Sequence, residues 1–324
     1  VGWEMCIRDR RMVTETIKTT MKEFAEAVRD AVEASLGEEY QVQINDVVRN
    51  NDMHLTGLVI YNGISNMAPN IYLENYFSHY QEGMTMDEIS QDIIRTYEKY
   101  RVSENFDTTI FFDFNRVKDR ICYKLVNAKR NQERLADTPC MEFYDLVLVP
   151  YILIAMDENG IQSCLVKDYM LGVWDVSKET LFDLAKQNTQ RLFCSRVESL
   201  KNVIMGIMKP EMSDEEADEF YEMSEDVEEA VPMYVCTNSS KMYGAGTIFY
   251  DGLLKDFADR IGSDFYILPS SIHETLFIPA SAGMDVELLK EMVRDVNHTE
   301  VLPNEILSDN VYYYDRNSDH VEIR

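Results

Sequence analysis

Two short apolar runs enclose a polar cluster between Phe265 and Pro279, and this stretch constrains the fold more than any other part of the chain. Both runs are rich in Ile, Leu, Phe, Tyr and Thr and are bounded by proline, which is typical of β-strands. The pattern predicts a buried hairpin whose strands join through Pro269, Ser270 and Ser271. The polar chemistry of this hairpin then lies at its bend.

Four residues at the bend are candidate catalytic residues, namely Ser270, Ser271, His273 and Glu274. If His273 and Glu274 continue the second strand, they point to opposite faces and cannot form a dyad. Ser271 and His273 would share a face, about 6.6 Å apart along the strand, so a hydrolase that uses this pair is the alternative hypothesis. We favour a structural turn whose hydroxyls bond to local backbone, and we assign no catalytic residue.

The charge balance narrows the classes of partner. The chain carries 58 Asp and Glu residues against 31 Lys and Arg residues, a formal net charge of -27. Nucleic-acid binding depends on Lys and Arg that neutralise phosphates, so no nucleic-acid partner is expected. The charge would suit a basic protein partner, although acidity also serves solubility alone.

Hydrophobic runs and cysteines predict where the protein acts. No run approaches the ~18 consecutive apolar residues of a membrane span, so we expect no membrane association. The 6 cysteines are scattered without a C-x-x-C pair, which is typical of a reducing compartment. We therefore expect a cytoplasmic protein.

The chain is interpreted as a short tail followed by two modules. Residues 1–11 resemble translated adapter sequence and are interpreted as a non-native tail. Residues 12–103 predict an N-terminal α-β-β-α module, and residues 104–324 predict a C-terminal α+β module. Within the second module, the stretch 211–230 contains eleven acids and no Lys or Arg, so it is interpreted as an acidic surface insertion.

Local signals predict the boundaries of several elements. Thr85 and Glu88 have the spacing of a capping box, and Ser177 predicts the start of another helix. Asn159-Gly160 is the strongest hairpin signal in the chain. The residues 107–114 predict a strand, and Pro150 predicts an edge or a bulge within a long apolar strand.

Tight hairpins outnumber any β-α-β crossover, so we predict an α+β protein of mainly antiparallel sheets covered by helices. An amphipathic helix is expected at 247–261, before the hairpin at Phe265–Pro279, and another at 286–296 after it. This repeats the α-β-β-α order of the first module. Two such modules are therefore an open interpretation.

Familiar cofactor and metal motifs are incomplete, so no cofactor and no metal site is predicted. His273-Glu274 begins like the zinc motif H-E-x-x-H, but Phe277 stands where the second His belongs. Gly244-Ala245-Gly246 lacks the third glycine of a dinucleotide turn. A basic patch of Lys129, Arg130 and Arg134 could bind an anion or a carboxylate, although the interleaved Asn and Glu favour a solvated face.

Several segments together carry a resemblance to a known family. They are Lys124–Asn127, Asp145-Leu146, Asn188-Thr189, Gly262–Asp264, Leu268–Glu274, Leu307–Asp309 and Tyr312–Asp315. With these segments the chain resembles an uncharacterised bacterial family known as domain of unknown function 5688, over nearly everything after Met12. It departs at Cys140, where His is expected, and at Pro150, where an unbroken apolar strand is expected.

The resemblance supports the fold boundaries and the cytoplasmic location, and it implies no activity, cofactor or catalytic residue. We therefore expect a protein of unknown function that acts as a non-enzymatic interaction or regulatory protein, with the Ser271/His273 hydrolase as the alternative.

Overall fold

The computed structural model describes residues 19–101, 105–157, 160–208 and 231–324. The predicted tail 1–11 and the acidic insertion 211–230 lie outside these ranges. The described chain divides into two compact units. The first contains the residues up to Val47 together with Leu55–Phe106, and the second contains Val48–His54 and Asp107–Arg324.

The first unit packs helices against a three-stranded sheet with the order β1-β2-β3. Its elements are α1 (Met21–Leu36), β1 (Gln41–Val48), β2 (His54–Tyr61), β3 (Asn70–Tyr72), α2 (Glu74–Gln81) and α3 (Met86–Tyr100). The predicted capping box is confirmed, because the Thr85 hydroxyl accepts from Glu88 N and the Glu88 carboxylate accepts from Thr85 N. Apolar residues of α1 and α3 meet β2 in one core that includes Phe24, Val28 and Ile93.

The second unit contains two sheets and the helices that cover them. From Asp107 onward, this unit begins with a 3-10 turn at Thr108–Phe112. The next elements are α4 (Phe114–Val117), β4 (Ile121–Asn127), β5 (Met141–Phe143) and the long strand β6 (Leu146–Asp157). They continue with β7 (Gly160–Leu165), α5 (Asp168–Trp174), α6 (Lys178–Leu192), β8 (Ser195–Ser199), α7 (Leu200–Met208) and β9 (Tyr234–Asn238). A 3-10 turn at Gly244–Phe249 precedes α8 (Leu253–Ile261), β10 (Phe265–Pro269), β11 (Thr275–Pro279), α9 (Val286–Thr299), β12 (Tyr312–Asp315) and β13 (His320–Ile323).

The smaller sheet of this unit has β6 at its centre. Strand β4 pairs with one edge of β6, and β5 and β7 pair with the other. The hairpin predicted at Asn159-Gly160 is confirmed, since Asp157 pairs with Gly160. Helix α6 covers β4 and begins at Ser177, whose hydroxyl accepts from Thr180 N as expected.

The larger sheet has the order β13-β12-β10-β11-β9-β8. Side chains alternate along β10, so Phe265 and Ile267 enter the main core with α8, and Leu268 enters a second core with α9. Both faces of the β10–β11 hairpin are therefore covered. The predicted α+β fold with antiparallel sheets is confirmed.

Three local predictions are wrong. Residues 107–114 do not form a strand, because the carboxylates of Asp107 and Asp113 accept local main-chain N–H groups and cap short turns instead. The helix expected at 247–261 is divided into a 3-10 turn that ends at Phe249 and the helix α8.

The strand position of Pro150 is the third correction. Strand β6 is central, and its bulge lies between Leu153 and Ala155. On one side Pro150 pairs with Tyr123 of β4. On the other side it falls between the pairs made by β5, which end at Leu148, and those made by β7, which begin at Tyr151. On that side the Pro150 carbonyl accepts from Val166 N over 3.1 Å, one residue beyond the end of β7, so the missing N–H of Pro150 lies where the β7 ladder ends.

Candidate functional site

The loop between β10 and β11 spans residues 270–274 and contains all four candidate catalytic residues. The hairpin is confirmed, but the expectation that His273 and Glu274 continue a strand is wrong. Ser271 N donates to Glu274 O over 3.2 Å, and the Ser271 hydroxyl accepts from His273 N over 3.0 Å. These bonds close the loop on itself, so the shared strand face inferred for Ser271 and His273 does not exist.

The loop is also bonded to two neighbouring segments. Ile272 N donates to Glu305 O over 2.9 Å, and Ala245 N donates to Ile272 O over 3.3 Å. The Thr237 hydroxyl donates to His273 O over 2.8 Å. Ile272 is buried in the main core. The bend is therefore a docked loop rather than an open tip.

One nitrogen of the His273 ring is hydrogen-bonded and the other faces a carboxylate. Its Nδ1 accepts the main-chain N–H of Tyr243 over 3.2 Å, which requires that Nδ1 carry no proton and places the ring proton on Nε2. The Nε2 atom lies 3.6 Å from Glu305 Oε1. The ring also stacks on the Tyr243 ring, with 5.9 Å between centroids and 14° between planes. His273 thus positions Tyr243.

Ser270 and Glu274 lie together at the side of this loop. The Ser270 hydroxyl donates to Glu274 Oε1 at 3.5 Å, the long limit of a hydrogen bond. The structure therefore places Ser270 beside Glu274, and His273 beside Tyr243 and Glu305. The hydrogen bonds of Ser271 are with main-chain groups of His273 and Glu274, and none joins its hydroxyl to the imidazole.

Gly244 allows this close packing. A Cβ atom at Gly244 would overlap the Thr237 hydroxyl and the His273 carbonyl. Gly246 has a related role, since its carbonyl accepts from the Tyr123 hydroxyl over 2.8 Å and a Cβ would lie 2.9 Å from the Tyr123 ring. The two glycines of the Gly-Ala-Gly sequence are therefore required by packing.

Lys124 lies on β4 close to this assembly, and it is 5% exposed. On the same face of the strand its neighbours Cys122 and Val126 belong to apolar clusters, and Val149 is its partner on β6. Its Nζ atom lies 4.8 Å from the Tyr243 ring centroid. Among the residues that the structure describes, this ammonium makes no hydrogen bond and no ion pair.

Burial changes the acidity of Lys124. Removal of the ammonium from water lowers its pKa from the ordinary value of 10.5 to about 7, and the positive charges of Arg134 and Arg49 act in the same direction. The amine is therefore divided between its charged and neutral forms near neutral pH. A lysine in this state can bind an anion as the ammonium or act as a base or nucleophile as the amine.

The predicted basic patch separates into different environments. Arg130 forms an ion pair with Asp309 over 2.7 Å, Lys129 is exposed, and Arg134 is half-buried and acts on Lys124. Lys129 and Arg130 therefore lie on a solvated face, as interpreted, whereas Arg134 is half-buried.

Several segments that carry the family resemblance meet in one buried hydrogen-bond network. Asp145 accepts from the Tyr312 hydroxyl and from the Ser308 hydroxyl, each over 2.6 Å. Asn127 donates to Leu307 O over 3.0 Å. The pKa of Tyr312 is raised by burial and by the adjacent Asp145 carboxylate. This network joins the smaller sheet to the chain around β12 and has a structural role.

Other classes of site were sought in the described ranges. They contain no group of three or more His, Cys, Asp or Glu side chains placed to hold a metal ion. No described helix has both the length and the apolar character needed to cross a membrane. The first unit has a cleft of about 500 Å³. Its lining is formed by Glu38, Glu39, Gln41, Gln43, Tyr61 and Gly63.

Lys124, Tyr243 and Glu305 were not singled out as site residues from the sequence. A signal for Lys124 was present, because it is the single charged residue in the run Ile-Cys-Tyr-Lys-Leu-Val. Tyr243 and Glu305 approach the loop only through tertiary contacts, so their sequence positions carry no equivalent signal.

Comparison with known proteins gives the family but not an activity. No curated protein and no solved structure shows a significant match to the chain. A family model described as a family of unknown function, DUF5688, matches residues 21–316. The match covers both units and includes every segment on which the resemblance was based, and no activity accompanies it. The chain belongs to the family of unknown function DUF5688.

Proposed function

We propose that the chain is a non-enzymatic interaction or regulatory protein of the cytoplasm, with an acidic surface that favours a basic protein partner. The observation that supports this proposal most is the state of His273. Its Nδ1 accepts from Tyr243 N and its Nε2 faces Glu305. The imidazole therefore holds a loop and an aromatic ring in place.

The alternative, a hydrolase that uses Ser271 and His273, receives less support from this geometry. General-base catalysis needs a ring nitrogen within hydrogen-bond reach of the nucleophile. Here the Ser271 hydroxyl accepts from the main chain of His273, and Nδ1 is occupied by Tyr243 N. Activation of Ser271 would require a ring nitrogen of His273 to come within hydrogen-bond reach of the Ser271 hydroxyl, and neither nitrogen does so here.

Charge and cysteine chemistry support the partner and the compartment. A net charge of -27 creates a field that attracts basic surfaces and speeds their association. The five cysteines within the described ranges are all free thiols, which suits a reducing compartment such as the cytoplasm.

Affinity capture with the full chain tests the proposal. A native lysate is passed over the immobilised protein at low and at high salt, with an unrelated protein of similar negative charge as the matched control. We expect a basic protein that the control does not retain and that high salt releases, because salt screens exposed charges. Failure of the folded chain to retain any protein beyond the control would contradict the proposal.

A further inference from the structure

We propose that Lys124 is the contact residue of a binding site for a small oxyanion, a carboxylate or a phosphate, with Tyr243 beside the ammonium and Arg134 and Arg49 contributing positive potential. This site consists of a buried amine and an aromatic ring, whereas the proposed function rests on the acidic charge of the chain. It therefore goes beyond the proposed function and can be tested without it.

The Lys124 ammonium is largely buried and has no ionic partner among the described residues, although its Nζ atom keeps some contact with solvent. Lys124 is 5% exposed and lies between Cys122 and Val126, which belong to apolar clusters. A buried charge without a partner is destabilising, and an apolar residue of similar volume would avoid this cost. An oxyanion that accepts hydrogen bonds from the ammonium would offset it.

The charge around Lys124 has the sign that attracts an anion. Although the protein as a whole is strongly acidic, the charges that act on Lys124 within the described part of the chain are the guanidinium groups of Arg134 and Arg49. A positive potential that disfavours protonation of Lys124 favours an anion beside it. Arg134 and Arg49 thus contribute positive potential at Lys124 within a chain that is acidic overall.

The position of Tyr243 leaves N–H groups of the Lys124 ammonium without an oxygen acceptor. This residue adopts the left-handed conformation, with φ of 56°, and is held there by the His273 ring. Its ring lies 4.8 Å from Nζ and can stabilise the cation electrostatically. An aromatic face does not replace the oxygen acceptors that three N–H donors can use. The ammonium therefore retains donors for a ligand.

The test follows the Lys124 amine directly by NMR of full-length protein with isotopically labelled lysine. The resonance is assigned from its loss in Lys124→Met, and its pH titration is recorded in chloride alone, with inorganic phosphate and with acetate at matched ionic strength. Phosphate and acetate separate the two sources of an oxyanion. Lys255→Met, which changes an exposed lysine on α8, is the matched control.

We expect one of the two probes to raise the pKa of Lys124 and to bind Lys124→Met at least roughly tenfold more weakly than wild type, because a charge-assisted hydrogen bond is lost. Lys255→Met should bind within about twofold of wild type, since Lys255 is an exposed residue of α8 that has no contact with Lys124 or Tyr243 among the interactions described. Two results would overturn the proposal. One is an unchanged Lys124 titration with both probes, and the other is equal probe binding by wild type and Lys124→Met. The titration uses wild-type protein, so it remains informative whatever the stability of the variant.

Discussion

The main-chain N–H of Tyr243 donates to Nδ1 of His273 over 3.2 Å, and this bond fixes an aromatic ring beside a buried amine. The Tyr243 ring stacks on the His273 imidazole, and its centroid lies 4.8 Å from Lys124 Nζ. A loop that suggested a catalytic dyad in the sequence is thereby connected to a lysine with unusual acidity. The role of His273 can be measured through Lys124.

Replacing His273 by Ala should raise the pKa of Lys124 from about 7 towards the ordinary lysine value of 10.5. Without the bond to Nδ1, Tyr243 is no longer held beside Lys124, and water gains access to the amine. Desolvation of the amine, which is the largest cause of its lowered pKa, then becomes weaker. NMR titration of labelled lysine gives the value. His298→Ala, at an exposed position on α9, should leave it unchanged. An unaltered Lys124 titration in folded His273→Ala would show that the ring does not position Tyr243.

Lys124→Met should stabilise the protein, most strongly at and below pH 7. The folded-state pKa is lowered to about 7 whereas the unfolded chain retains 10.5, so folding releases a proton between these values and wild-type stability rises with pH there. Below about pH 7 the folded protein carries the full cost of the charged amine, on the order of a few kcal/mol. Above about pH 10 the cost has disappeared.

Urea unfolding of wild type and Lys124→Met at a series of pH values measures this difference. Other titrating groups are common to both proteins and cancel. Lys255→Met should show a small, pH-independent difference from wild type, because its side chain is exposed. A Lys124→Met difference that stays constant from pH 6 to pH 10 would mean that Lys124 is an ordinary charged lysine.

Gly244→Ala should destabilise the second unit by about 1–3 kcal/mol or more, because the new methyl group would overlap the Thr237 hydroxyl and the His273 carbonyl. Gly172→Ala is the matched control. It lies in α5, where a Cβ atom would have no other atom within 4 Å, so Ala should be neutral or stabilising by up to about 1 kcal/mol. Thermal unfolding compares the two variants, and equal stabilities would refute the close packing at Gly244.

Tyr312→Phe should destabilise the protein by about 1–3 kcal/mol, since it removes a hydroxyl that donates to the partly buried Asp145 carboxylate over 2.6 Å. Tyr234→Phe is a suitable comparison, because the Tyr234 hydroxyl makes no hydrogen bond within the described ranges. Chemical denaturation should separate the two variants clearly. If Tyr312→Phe unfolds at the same denaturant concentration as wild type, the network around Asp145 does not stabilise the fold.

Local sequence signals predicted those elements whose stabilising contacts are themselves local. The capping box of Thr85 and Glu88, the cap at Ser177 and the hairpin before Gly160 need only neighbouring residues to form. The segment 107–114 failed for a related reason. The strand prediction rested on the β-propensity of these residues. The side chains of Asp107 and Asp113 instead accept hydrogen bonds from nearby main-chain N–H groups and favour turns.

The candidate site was harder to predict because long-range contacts create it. The residues Ser270, Ser271, His273 and Glu274 were correctly located near a bend, but the partners of His273 are Tyr243 and Glu305. The turn at Asn50–Asp52 illustrates the same limit. Its assignment to the second unit follows from bonds such as that of Asn51 N to Asn131 Oδ1, 80 residues away.

The central claim is that His273 positions a loop and a ring rather than activating Ser271. Its most direct test is treatment of the native protein with a fluorophosphonate, which reacts with activated serine hydroxyls, followed by peptide mass spectrometry at Ser271. A known serine hydrolase in the same mixture confirms that the reagent is active. We predict that Ser271 stays unmodified and that wild type and Ser271→Ala give the same labelling. Stoichiometric modification of Ser271 that disappears in folded His273→Ala would contradict the account and establish the hydrolase.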